Sequence, residues 1–311
     1  MMLTYYNKTK NFGDMLNPLI FNHHLPGFFD NNQETLFLGI GTILGLEKGL
    51  NSTNRIIVFS SGVGFGDTFT YGELPVLDSR YDILCLRGPL TAKKLRIDPS
   101  LAISDGALLL RNMHIPEQPK KYRFAYIPHH VSEGMFPNWR EIADDAGIHF
   151  ISPQKNVIEI IQEIQQSEII ITEAMHGAII ADVFRVPWIP VKAYSHINEF
   201  KWQDWGLTLN LDIKFQHLSS LFSQQKIKEM IHSSMSQSWQ KPFTGIAEHI
   251  YKNMHDRFRR KKVIKELMQI KQSIPILSKE KDLNNRVMEL VEKIDMVKEK
   301  YQENKKSNIS G

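Results

Sequence analysis

Short, continuous apolar runs rich in Ile, Val, Phe and Leu recur along the chain and alternate with stretches of helical pattern. They fall at Leu3–Tyr6, Thr35–Ile40, Arg55–Ser60, Asp82–Leu86, Phe124–Pro128, Ile148–Ser152, Ile169–Thr172 and Trp188–Val191. A parallel strand covered by helices on both faces needs hydrophobicity of this unbroken kind, rather than the alternation of a half-solvated strand. The pattern therefore predicts an α/β protein.

The intervening segments carry helix signals. Pro89 stands just inside a helix after Gly88, Val157, Ile160, Ile161 and Ile164 form one apolar face, and Ala178, Ile179, Ala181, Asp182 and Val183 follow Gly177. The polar segment Met113–Tyr122 contains two prolines and separates two such series, so it reads as an interdomain linker. The expected fold is α/β with two Rossmann-like, doubly wound domains, over residues 1–112 and 120–250, and a basic, helical C-terminal extension over 251–311. In open sheets of this kind ligands sit beyond the carboxyl ends of the strands, and with two such domains the cleft between them is the expected site.

Beyond residue 250 the composition changes. RFRRKKVIKEL is a basic helical segment, and after Pro275 the residues Leu283, Val287, Leu290, Ile294, Val297 and Tyr301 follow at spacings of four and three. This heptad-like seam fits a helix packed on its own body, a self-association helix that makes a homo-oligomer, or, through its basic stretch, peripheral contact with an anionic membrane.

Charge and composition narrow the partners. The net charge of +4 conceals 16 Lys and Arg against 9 Asp and Glu in residues 251–311, leaving the body slightly acidic. A nucleic-acid-binding core, which needs clustered cations for phosphates, is not expected. One cysteine, Cys85, cannot form an internal bridge, and no signal-like N-terminus or long apolar span is present, so a cytoplasmic protein is expected.

The candidate chemistry sits directly after the strands. Asn11-Phe12-Gly13-Asp14 follows the first run; Gly13 permits a tight turn, and Asp14 can cap the next helix or orient a ligand hydroxyl. Gly39-Ile40-Gly41-Thr42, and Ser60 to Gly66 after the next strand, either bring backbone amides to an anion or sugar or are plain strand-exit turns. Arg87-Gly88-Pro89 aims a guanidinium and a helix start at one cleft, suiting a carboxylate or phosphate or else an ion pair, and Asp105 of Ser104-Asp105-Gly106 caps a helix or positions Arg87. His129 and His130 are adjacent, without a completing ligand set for a metal, so acid–base or phosphate-binding work is the better expectation. The sharpest cluster is Thr172-Glu173-Ala174-Met175-His176-Gly177, which places His176 with Glu173 at a strand-to-helix turn facing the cleft. Arg185, Lys192 and Lys201 can add positive charge. Phe200, Trp202 and Trp205, with Asp204 between the tryptophans, form a sugar-stacking platform or cover an edge.

In order and spacing, NFGD, GIGT, RGPLT, SDGA, PHH, EAMHGAIIADVFRVPWIPV and FKWQDW resemble the polysaccharide pyruvyl transferases, nearest to those modifying succinoglycan-type exopolysaccharides. The resemblance covers residues 1–210; nothing after Asp212 contributes to it. It implies a fold akin to the GT-B glycosyltransferases, phosphoenolpyruvate as donor substrate with no further cofactor and no metal, and a saccharide acceptor, which can be lipid-linked at the inner face of the membrane. The product is a pyruvate ketal on two hydroxyls of one sugar, with release of phosphate. Arg87 and His176 match the family's arginine and histidine, and His129 and His130 its histidine pair. On this reading Arg87, His129, Glu173 and His176 are catalytic, and Asn11, Asp14, Gly39, Gly41, Asp105, His130, Lys201 and Trp202 bind substrate. A GT-B glycosyltransferase using a nucleotide sugar, and a scaffold that recruits partners through its C-terminal helix, remain the alternatives at this point.

Overall fold

The apolar runs become strands of two parallel sheets in the computed structural model, which describes residues 1–7, 9–44, 55–64, 74–223, 225–226, 229 and 258–307. The first sheet holds β1 (Met2–Thr4), β2 (Thr35–Leu38), β3 (Arg55–Ser61) and β4 (Tyr81–Leu86) in the order β1-β2-β3-β4. The second holds β5 (Tyr122–Ile127), β6 (His149–Phe150), β7 (Ser167–Thr172), β8 (Trp188–Lys192) and β9 (Gln216–His217) in the order β6-β5-β7-β8-β9. Every pairing between these strands is parallel. Only β9, two polar residues, has no counterpart among the apolar runs.

The sheets are wound differently. Over its described strands the first advances in one direction, whereas in the second the chain leaves β5 for β6 and then returns past β5 to β7. The second sheet is thus doubly wound, with its switch point at the carboxyl ends of β5 and β7, where this architecture opens a crevice.

Among the described residues the α-helices are α1 (Phe12–His24), α2 (Pro89–Leu95), α3 (His130–Met135), α4 (Trp139–Asp145), α5 (Val157–Gln165), α6 (Met175–Val183), α7 (Glu199–Thr208), α8 (Arg260–Ile270) and α9 (Glu280–Ser307). A 3-10 helix spans Gly106–Asn112, and residues 113–121 then run without helix or strand into β5. Side-chain caps start several of these elements where the sequence changes from polar to apolar: Asn156 accepts from the Ile158 amide and Asp105 from that of Ala107.

The core is continuous across both sheets. Leu16, Ile20 and Phe21 of α1 pack with Phe37 and Phe59, and the same cluster runs through Leu108, Leu109 and Leu110 to Ala178 and Ile179 of α6. The C-terminal seam joins it: Leu283, Val287, Leu290, Ile294, Val297 and Tyr301 are buried, so α9 packs on the body of the protein. Its far end reaches Asp82 of β4 through Lys300 and Tyr301, and before it Ile276 pairs antiparallel with Trp188 of β8. Among the described residues no helix is long and apolar enough to cross a membrane. Phe65 and Gly66 of the second glycine motif, and residues 230–257 of the expected second domain and extension, lie outside the described residues.

Candidate active site

The switch point of the second sheet carries His129 and His130 at the exit of β5, and Glu173 and His176 at that of β7. Thr172 shapes the latter turn: its hydroxyl accepts from the Ala174 amide, closing the strand before α6 begins. Facing this point from the first half are the first turn of α1 and the cap of the 3-10 helix.

His176 spans the gap. Its side chain is 12% exposed, and Nε2 lies 3.5 Å from Oδ2 of the fully buried Asp105. Neither atom has a hydrogen-bond partner among the described residues. The other edge of the ring rests on Gly13, where a Cβ would lie 2.2 Å from Nδ1. Gly13 is therefore required here by close approach rather than by turn geometry. Asp105 caps the 3-10 helix with Oδ1 and faces His176 with Oδ2; it does not position Arg87.

Asn11, not Asp14, caps α1: its side-chain oxygen accepts from the Gly13 amide, and its Nδ2 donates to Asp14 at 2.8 Å. The helix starts at Phe12, so Asp14 lies inside its first turn. Burial pushes the Asp14 carboxyl above its ordinary range, while His176 and Lys201 pull it back. Gly41, at φ +130°, would bring a Cβ to 3.5 Å from Asp14 and so forms the wall beside it.

Three imidazoles gather on the other side. The rings of His129 and His130 are 4.3 Å apart, and those of His129 and His196 5.0 Å. His129 caps α3, its Nδ1 accepting from the Val131 amide, while the Ser132 hydroxyl lies 3.1 Å from Nε2 of His196. Burial pushes all three below the ordinary histidine value, His196 to about 4, with the neighbouring cations adding to the effect. They are neutral at pH 7 and able to donate or accept one hydrogen bond each. Lys201 of α7 acts electrostatically on this trio and on Asp14 alike. Glu173 lies beneath them at 1% exposure, accepting from the backbone amides of His129 and Ala193, and burial pushes its carboxyl up. It braces the exits of β5 and β8 rather than facing the gap.

Several expected site residues are placed elsewhere. Arg87 is fully buried; Nε pairs with Asp204 at 3.1 Å, and the terminal nitrogens donate to Thr42 and to the Val63 carbonyl. It reaches no open cleft, because an internal carboxylate from α7 takes the position expected for a ligand. Thr91 completes this latch, donating both its amide and its hydroxyl to Asp204. Gly39 serves packing: a Cβ there would lie 2.1 Å from Asn17, whose side chain accepts from the Ile40 amide, so these donors are not free for an anion. Trp202 is 1% exposed and packs against Trp188 and Phe215, leaving no face for a sugar to stack on. Arg185 binds Asp182 and Glu280 at the start of α9, and Lys192 pairs with Glu199.

The family model for polysaccharide pyruvyl transferases matches residues 45–196. Succinoglycan biosynthesis protein ExoV of Rhizobium meliloti (strain 1021) is 39% identical over 215 residues, which are 68% of this chain and 66% of that protein. Over these stretches, which span just under two thirds of ExoV, the chain is similar to the polysaccharide pyruvyl transferase family. No solved structure matches it.

The stretch matched by the pyruvyl transferase model contains Arg87, Asp105, His129, His130, Glu173, His176 and His196, whereas Asn11, Gly13 and Asp14 precede it and Lys201 and Asp204 follow it. The gap is thus walled by both kinds of residue. His196, Ser132 and Asn17 were missed in the sequence. His196 stands alone in a loop, and Ser132 and Asn17 acquire their partners only through the fold.

Proposed function

We propose that the protein transfers the enolpyruvyl group of phosphoenolpyruvate to two hydroxyls of one sugar in a bacterial exopolysaccharide, giving a pyruvate ketal and inorganic phosphate. The observation that carries this reading is the seating of His176, from the second sheet, on Gly13 and opposite Asp105 of the first. One proton carrier is thereby held between carboxylates in a site that also contains a lysine and neutral histidines.

The chemistry sets the roles. His176 delivers a proton to the methylene carbon of the donor, and a sugar hydroxyl bonded to Asp14 adds to the neighbouring carbon, losing its proton to that carboxylate. The second hydroxyl then closes the ring as the carbon–phosphate oxygen bond breaks, and its proton leaves with the phosphate. Lys201, His130 and Asn11 hold the anionic donor, a task the buried Arg87 does not perform. His129 and Glu173 keep the β5 exit in place, and Arg87 positions α7. No redox step is involved. On the same reading the two sheets are the Rossmann-like halves of a GT-B-like enzyme, and a lipid-linked acceptor would be met at the cytoplasmic face of the membrane.

Nucleotide-sugar glycosyl transfer would suit a related fold, but the family match does not favour it. The test is to incubate the purified protein with phosphoenolpyruvate and a panel of glycosides and to measure phosphate. Acceptor-dependent release, with thermal stabilisation by phosphoenolpyruvate and not by nucleoside diphosphates, is expected. The reverse pattern of stabilisation, with no phosphate released, rejects the proposal.

A further inference from the structure

Next to the reaction gap, the carboxyl ends of β8 and β9 and the first turn of α7 enclose an open groove of about 580 Å3, lined among others by Lys192, Ser195, Glu199, Phe215, Gln216 and His217. None of these residues has a role in the chemistry above. We infer that this groove is a subsite for the part of the acceptor saccharide that is not pyruvylated, binding the sugars that flank the reacting one. The inference rests on the proposed transfer and adds to it a place and a length preference for the acceptor.

Three features carry it. The volume lies within the ~300–1,000 Å3 typical of small-molecule clefts, more than a single sugar requires. The lining charge is balanced, because Lys192 pairs with Glu199 and Lys214 with Asp212, so nothing in it calls for an anionic ligand. What remains is a hydroxyl, an amide, an imidazole and a half-buried phenyl ring held edge-on by Trp202. Such a set matches a neutral polyol that has one C–H face and many hydroxyls.

Position supplies the direction. Ser195 in the groove adjoins His196 of the imidazole cluster, and Glu199 in the groove is two residues from Lys201 on α7. A chain of sugars lying in the groove is therefore placed to end beside the imidazole cluster that borders the gap. A single sugar in the gap leaves the groove empty; an oligosaccharide occupies both.

The experiment takes a glycoside that supports phosphate release and compares it, as its methyl glycoside, with the longest available oligosaccharide ending in the same sugar. In the wild-type enzyme the oligosaccharide should have a KM at least about tenfold lower, the worth of one good polar or stacked contact. Gln216→Trp, which fills the groove from its exposed edge, should erase that preference while leaving kcat/KM for the methyl glycoside and KM for phosphoenolpyruvate unchanged. His217→Ala, which removes the imidazole of the groove, should weaken the preference in the same direction, so the test does not depend on one variant. A wild-type enzyme indifferent to acceptor length, or variants that retain the full preference, overturns the subsite and leaves the pyruvyl transfer intact. Absence of phosphate release with every acceptor instead overturns the transfer itself.

Discussion

The imidazole of His176 rests directly on the α-carbon of Gly13, close enough that a methyl group added there would lie 2.2 Å from Nδ1. Gly13→Ala separates positioning from folding. Adding a methyl to a packed site costs about 1–3 kcal/mol, whereas replacing a helical glycine with alanine returns about 1 kcal/mol, so the melting temperature should change little. The histidine must move, however, and turnover should fall by at least ~100-fold, the scale of losing one preorganised group. His176→Ala should lose as much with its stability kept. Turnover and thermal melting measured on both variants decide it; near-normal turnover in either one removes His176 from the chemistry.

Arg87→Ala should behave in the opposite way. It strands the Asp204 carboxylate at 0% exposure with Thr91 as its remaining side-chain partner. Breaking a buried ion pair from one side costs about 3–5 kcal/mol, so the main effect is on stability. Adding Asp204→Ala to Arg87→Ala should recover part of that loss, since no buried charge is then left alone. Chemical denaturation of the two single variants and the double variant gives the coupling. Additive losses would show that the two side chains do not act as a pair.

These two sites also mark what was legible in the sequence. Continuous apolar runs announce parallel strands, and the strand-to-helix turn at Glu173–His176 was visible because strand, glycine and small-residue helix are contiguous. Arg87 stood out for the same local reason, but its partner Asp204 is 117 residues away, and no spacing rule links them. Seen alone, the arginine therefore looked like an anion site. Trp202 misled in a related way. An aromatic on a short helix can face a sugar or a core, and only the tertiary position of Trp188 decides between them. The two-residue β9 has no apolar signature, because β8 and the surrounding loops supply its context.

The C-terminal helix offers a test of strap against docking surface. Leu290 is fully buried, whereas Met288, two residues earlier on α9, is 57% exposed. If the helix acts through its own core packing, Leu290→Ala should cost about 2–5 kcal/mol and Met288→Asp close to nothing. Phosphate release measured below both melting transitions should be unaffected by Met288→Asp. A large loss from Met288→Asp with Leu290→Ala tolerated would instead identify the exposed face as the one that matters.

Asp14 couples stability and activity to pH. Its carboxyl is raised above the ordinary value of 3.8 chiefly because burial disfavours the charge. Below 3.8 it is protonated in the folded and the unfolded chain alike, and folding carries no penalty. As the pH climbs, the unfolded chain ionises first, and the folded protein loses stability until its own, higher pKa is passed. An asparagine cannot ionise, and its side-chain oxygen can still accept the Asn11 bond. Asp14→Asn should therefore match the wild type in melting temperature at the acidic end and exceed it increasingly toward neutral pH. Turnover should nevertheless fall by about 100-fold or more, the usual contribution of a positioned proton acceptor. Melting curves from pH 3.5 to 8 test the first part and phosphate release at pH 7 the second. A variant less stable than the wild type at neutral pH would mean that the attraction of His176 and Lys201 outweighs burial. The carboxylate would then be held in place by its charge partners.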